Sequence, residues 1–257
     1  MVRVSRRNMD MAVFGCIVFT CIPRAFAAAG APAQDVDTIV SRMEQAQIVS
    51  RTQQQPYVVT RNYQFFSNDL QKPNSEVAVK VEFQPPSTKN FTIQKTHGSG
   101  QGEKIVRQVL EHEKTAAQDE SSHEISRRNY DFKLLRTDQY QGQPCFVLQL
   151  IPKRLDKTMI RGEAWVDTAT YLIHRIDGEL AKSPSWWVKD VHVTLDYGTV
   201  AGMWLQTTML AIAHVRLFGQ HVLQSQDVDC FTANSAQTAI RTHRSFGGVA
   251  AQIGLHP

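Results

Sequence analysis

Two periods of apolar and polar positions succeed one another along the chain. Val36, Ile39, Val40 and Met43 recur at helical spacing and put one apolar stripe on a helix over residues 35–47, with Asp35 placed to cap it. Gln53-Gln54-Gln55-Pro56 ends that helix, and from Tyr57 the period drops to two. Tyr57, Val59, Tyr63 and Phe65 alternate with Val58, Thr60, Asn62 and Gln64, and Arg61 breaks the apolar side. After a polar turn region, Val77, Val79, Val81 and Phe83 face one way and Glu76, Ala78, Lys80 and Glu82 the other, until Pro85-Pro86 stops the strand. A third strand carries Phe91 and Ile93 and ends at His97-Gly98-Ser99-Gly100. The helical period then returns over residues 103–118. Ile105, Val106, Val109 and Leu110 form the stripe, and His112 and Glu113 lie on its polar flank.

The second half reads as strands with short connections. Residues 124–130 fit either a short helix or an extended segment, and residues 132–136 are extended. A turn at Gln141-Gly142-Gln143-Pro144 leads into a strand over residues 145–151, closed by Pro152. The clearest hairpin joins Gly162-Glu163-Ala164-Trp165-Val166-Asp167 to Tyr171-Leu172-Ile173-His174-Arg175-Ile176 across Thr168-Ala169-Thr170. A polar loop, Lys182-Ser183-Pro184-Ser185, runs into Trp186-Trp187. Val191, Val193, Leu195 and Tyr197 then alternate with His192, Thr194 and Asp196, and strands over residues 204–215 and 222–230 complete the series. The plan is helix, three strands, helix, then about seven strands. Consecutive hairpins build a large antiparallel sheet, and two helices with one apolar stripe each are suited to cover its apolar face.

Composition sets the expected compartment. Arg3, Arg6 and Arg7 precede an apolar run over residues 11–22, and Ala25-Phe26-Ala27 follows, the pattern of a cleaved secretory signal peptide over residues 1–27. The run is shorter than the ~20 residues that span a bilayer. The leader contains four of the 28 basic residues and one of the 24 acidic ones, leaving 24 against 23. A chain so close to neutral has no long-range field to gather phosphates, which argues against a nucleic-acid partner. No linker divides residues 28–231, so they are expected to form one domain. Residues 232–257 have the composition of a disordered tail. Cys145 and Cys230 remain after export; an oxidising compartment permits a disulfide between them, and two buried thiols are the other reading.

The segments Tyr140-Gln141-Gly142, Leu148-Gln149-Leu150-Ile151-Pro152-Lys153, Gly162-Glu163-Ala164-Trp165-Val166-Asp167 and Arg175-Ile176, with the order of elements, resemble the LolA/LolB-like superfamily of outer-membrane lipoprotein-sorting proteins over roughly residues 35–230. The resemblance implies a mainly β fold with helices: a strongly curved antiparallel sheet forming an unclosed β-barrel capped by helices. It also implies a periplasmic, non-enzymatic carrier or chaperone without cofactors. Such a protein takes the acyl chain of a lipid or lipoprotein into an apolar cavity for transfer towards the outer membrane. An envelope-stress or regulatory protein that senses lipid and binds a membrane or envelope-protein partner is the alternative on the same fold. The cavity residues so implied are Tyr63, Phe65, Val77, Val79, Val81, Phe83, Leu148, Leu150 and Trp165. Arg61 lies in an early strand, where the family's carrier has a basic residue that holds its lid closed, but no motif here anchors that alignment.

Catalytic patterns are weak by comparison. His112-Glu113 and His123-Glu124 fit no established zinc spacing and read as a solvated helix face and loop. His97-Gly98-Ser99-Gly100-Gln101-Gly102 lacks the Lys and Ser/Thr of a phosphate loop, and no Gly-x-Ser-x-Gly elbow occurs. Adjacent Trp186 and Trp187 are expected to point to opposite faces of a strand, one of them exposed to a membrane interface or a cargo protein.

Overall fold

A computed structural model describes residues 35–67, 70–232 and 238–239, so the leader at residues 1–27 and nearly all of the tail lie outside the described residues. Helix α1 (Val36–Thr52) is followed by β1 (Tyr57–Phe66), β2 (Ser75–Gln84), β3 (Thr88–Gly98) and helix α2 (Gly100–Gln118). Then come β4 (Tyr130–Tyr140), β5 (Gln143–Pro152), β6 (Ile160–Asp167), β7 (Ile173–Leu180), β8 (Val188–Val200), β9 (Met203–Val215) and β10 (Gly219–Thr232). A two-residue strand, β11 (Thr238–Ala239), pairs with β10.

Helix α1 runs five residues beyond the expected stop at Gln47. Asp35 does take the N-cap position, but its side chain makes no capping bond; its backbone carbonyl accepts from the Thr38 and Ile39 amides instead. The ambiguous segment before β4 becomes turns rather than a helix, organised around the buried side chain of Asn129. The Asn129 amide donates to the Ser121 and Glu124 carbonyls at 3.0 and 2.9 Å and accepts from Arg154 at 2.7 Å.

The strands form one antiparallel sheet in the order β3-β2-β1-β10-β9-β8-β7-β6-β5-β4. The last long strand zips against the first, with Tyr57 opposite Thr232 and Phe66 opposite Val222. Strands β3 and β4 are the edges and do not pair with each other, so the sheet is open. The connection between those two edges contains α2. Both helices cover the same face. Ile39, Val40 and Met43 of α1 pack with Leu148, Leu150, Ala164, Val166 and Ile176, whereas Val106 and Leu110 of α2 pack with Val59, Tyr63, Phe65, Val77, Val79 and Val81. Ala211 of β9 touches both clusters and joins them. Burying each of these large side chains contributes roughly 1.5–3 kcal/mol. The other face carries a smaller cluster of Phe66, Ile212 and Val222.

Candidate functional site

The two-residue period of β1 turns Val59, Tyr63 and Phe65 towards the helices, and Arg61 goes with them. A register shift against β10 between Thr60 and Arg61 sets the arginine opposite Asp227. Arg61 is only 6% exposed, in a wall otherwise made of valine and aromatic side chains. Burying a guanidinium there is tolerable only with charged partners. Its Nε donates to Asp227 Oδ1 at 2.5 Å and its Nη2 to Oδ2 at 3.4 Å. Its Nη1 crosses to α2 and donates to the two carboxylate oxygens of Glu113 at 3.1 and 3.2 Å, with the Tyr63 hydroxyl at 3.4 Å. Lys89 Nζ, from β3, donates to the same carboxylate at 2.5 Å.

Glu113 is therefore clamped by two cations supplied by the sheet. Burial alone would raise its pKa, but the charges of Lys89 and Arg61 outweigh burial and hold it at about 2. Burial pushes the Asp227 carboxyl up against the pull of Arg61. Burial also pushes the Tyr63 hydroxyl up. Arg61 is held well above its ordinary value: burial opposes its charge, and Glu113 and Asp227 more than offset that. A pair of this kind contributes little net stability compared with apolar packing, yet removing one partner typically costs about 3–5 kcal/mol. It ties α2 to the sheet, as does the Thr96 hydroxyl of β3, which donates to Glu103 at 3.0 Å nearer the start of the helix.

The expected cavity residues divide into groups. Tyr63, Phe65, Val77, Val79 and Val81 are buried beneath α2, and Leu148 and Leu150 are buried beneath α1. With both helices in place, these side chains form packed core. Phe83 is half-buried at the end of β2, where it stacks on Tyr57 with ring centroids 5.2 Å apart. Trp165 lies on the opposite face of the sheet: its neighbours Ala164 and Val166 take the helix-covered side, and the Arg136 guanidinium sits 5.8 Å from its ring centre.

The disulfide open to Cys145 and Cys230 is not formed; both are buried free thiols. They occupy β5 and β10, with four strands between them, a path of roughly 24 Å along the sheet where a disulfide needs Cα atoms within about 7 Å. Cys230 belongs to the cluster under α2, whereas Cys145 alternates out of the helix-covered face that Leu148 and Leu150 occupy. Burial raises both thiols, to about 11.

An open cleft of about 410 Å³ lies at one end of the sheet, within the size range of small-ligand sites. Arg42, Ala46 and Val49 of α1, with Gln53 just past its end, form one side; Leu172, Met203 and Trp204, from the β6–β7 and β8–β9 ends, form the other. Met203 also belongs to the core cluster under α2, so the cleft abuts that core. Arg42 donates to the Tyr171 hydroxyl at 2.8 Å and anchors the helix beside it.

Sequence reasoning missed Glu113, Lys89 and Asp227. The helical period puts Glu113 on a solvated flank, whereas its side chain is 22% exposed and turned to the sheet. The available signal was Arg61 itself, because a cation in an apolar strand face demands buried anions. Among the described residues no group of three or more His, Cys, Asp or Glu is arranged to hold a metal. His112 and His123 lie ring to ring at 6.4 Å, with Glu113 turned to Arg61 and Glu124 to Arg51.

A family model described only as an uncharacterized protein matches residues 105–225. No curated protein matches the sequence. Among solved structures, the chain is similar to the LolA superfamily protein NE2245 from Nitrosomonas europaea, at 12% identity and a TM-score of 0.44, over 79% of this chain and 96% of that one. It is also similar to a domain named for outer-membrane lipoprotein sorting from Vibrio parahaemolyticus, at 14% identity and a TM-score of 0.40, over 79% and 95%. A third match is the MucA/MucB complex structure from Pseudomonas aeruginosa, at 11% identity and a TM-score of 0.23, over 76% and 93%.

Proposed function

We propose that the protein is a periplasmic, non-enzymatic carrier that shelters the acyl chain of a lipid or lipoprotein on the helix-covered face of its open sheet. On this reading residues 1–27 are the export leader, and residues 28–231 are the carrying domain. The observation that carries the proposal is the clamp of Arg61 and Lys89 on Glu113. A sheet–helix contact selected for stability alone is better made of apolar side chains; a buried ion pair makes a contact that holds in one position and opens as a unit. Opening α2 exposes Tyr63, Phe65, Val77, Val79 and Val81, an apolar wall bounded by an unpaired sheet edge. At ~0.8 kcal/mol per buried methylene, a sixteen-carbon chain supplies on the order of 10 kcal/mol before entropic costs. Opening the clamp returns its charges to water, so it costs less than the about 3–5 kcal/mol of deleting one partner. An acyl chain is therefore a sufficient lever, and a small polar ligand is not.

Native mass spectrometry of protein isolated from the periplasm, followed by organic extraction, tests the reading. The expected result is a mass above that of the polypeptide and an extracted molecule bearing an acyl chain. Protein that emerges ligand-free and takes up no added phospholipid or fatty acid contradicts it.

A further inference from the structure

At the end of the sheet opposite the cleft, the β7–β8 and β9–β10 connections lie side by side, joined by the bond from the Arg216 amide to the Trp187 carbonyl at 2.8 Å. Trp186, Trp187, Leu217 and Phe218 project from these two connections, with exposures of 83%, 55%, 100% and 71%. Both tryptophans are exposed, rather than one, because they precede β8 and so escape its alternation. Their rings tilt against each other with centroids 6.2 Å apart. Leu217 is fully exposed and has a φ of +71°, a left-handed conformation that glycine or asparagine adopts far more readily. Water and backbone both disfavour leucine there, so the residue's apolar side chain is what the position uses.

The surroundings of this tip are basic. Lys182 and Arg216 are exposed on these two connections and Lys189 at the start of β8, where Asp190 stands 3.9 Å from Lys189 and also meets His214; residues 181–189 and 215–219 contain no acidic residue. The β5–β6 connection meets the β7–β8 connection through the bond from the Ala181 amide to the Met159 carbonyl at 2.7 Å, and it carries exposed Lys157 beside Asp156. Paired tryptophans suit the boundary between water and hydrocarbon, and clustered lysine and arginine are drawn to anionic headgroups. Two copies of so basic a rim repel each other, which disfavours self-association through it.

We propose that this tip is a membrane-docking site: Trp186, Trp187, Leu217 and Phe218 enter the interface of a bilayer whose anionic lipids are held by Lys182, Lys189 and Arg216. The site stands apart from the clamp and does not depend on an acyl cargo. Docking here leaves the cleft at the far end of the sheet directed away from the bilayer.

Flotation with phosphatidylcholine vesicles and with mixed phosphatidylcholine–phosphatidylglycerol vesicles tests the site. Wild type is expected to float with the mixed vesicles only, and added salt is expected to weaken its partition. Brominated lipid is expected to quench its tryptophan emission. Trp186→Ser with Leu217→Ser should keep the wild-type melting temperature and lose flotation, and Lys189→Ser should lower partition by about fivefold. Absence of flotation or of quenching in wild type overturns the proposal, and so does equal flotation by the double variant. A wild-type dimer in sedimentation equilibrium that the double variant abolishes, without vesicle binding, assigns the tip to a second copy and overturns it too.

Discussion

Glu113 is the residue on which the account turns. Its carboxyl is held at about 2, below the ordinary glutamate value, so its contribution to stability is fully present above about pH 4.5 and is lost as the pH falls towards about 2. At ~1.36 kcal/mol per pK unit that contribution is on the order of 3 kcal/mol. Urea unfolding of wild type across this window should show the loss, and Glu113→Gln should make it shallower by about that amount, with Asp196 and Asp167, also held low, carrying part of the rest, while costing about 3–5 kcal/mol at neutral pH. A Glu113→Gln protein with the wild-type acid dependence would place the titrating group elsewhere. Val81 is 1% exposed beneath α2, so Val81→Ala should cost about 1–3 kcal/mol in the same assay, as a tight core position does. The two thiols should be silent towards a thiol reagent in native protein and both react after denaturation without reductant; none reacting would reveal a disulfide between them. These inner residues were legible because valine at every second position leaves little choice of face. Trp165, a cavity residue by resemblance, takes the other face because strand parity sets it opposite to Ala164 and Val166.

At the level of elements, the strands and both helices follow from period alone, and their ends depend on contacts that period does not reveal. Helix α1 continues past Gln47 because tertiary bonds hold its last turns: Gln47 donates to the Ile125 carbonyl at 3.0 Å, and Arg51 pairs with Glu124 at 3.2 Å. Both partners come from the segment that pattern left undecided. Helix α2 begins at Gly100, ahead of its apolar stripe, and its first turn lies very close to the sheet. A Cβ on Gly102 would stand 2.3 Å from the Ser75 Cβ and 3.3 Å from the Phe65 Cβ. Gly102→Ala should therefore push that turn off β2 and cost about 1–3 kcal/mol, offset in part by alanine's better helix propensity. Hydrogen exchange should show faster exchange in α2 with β5–β8 unchanged. Uniform exchange across both regions would mean that α2 and the sheet open only together.

For the whole molecule, the pairing of β10 with β1 decides what can be removed. Sequence order suggests a plain meander, but strand order shows β1–β3 attached to the rest of the sheet only through β10. No local pattern specifies that joint, since it links positions up to 175 residues apart, as Tyr57 and Thr232 are. A chain ending before Gly219 should fail to fold cooperatively, and a native-like melting transition from it would contradict this strand order. The central claim is that the face beneath α2 opens to an acyl chain when the clamp on Glu113 is released. Titration of wild type and Glu113→Gln with a fluorescent fatty acid, side by side, tests it most directly. Saturable binding by wild type, and tighter binding by Glu113→Gln because less clamp energy opposes opening, is the predicted result. No saturable binding by wild type, or identical affinities for the two proteins, would contradict the claim.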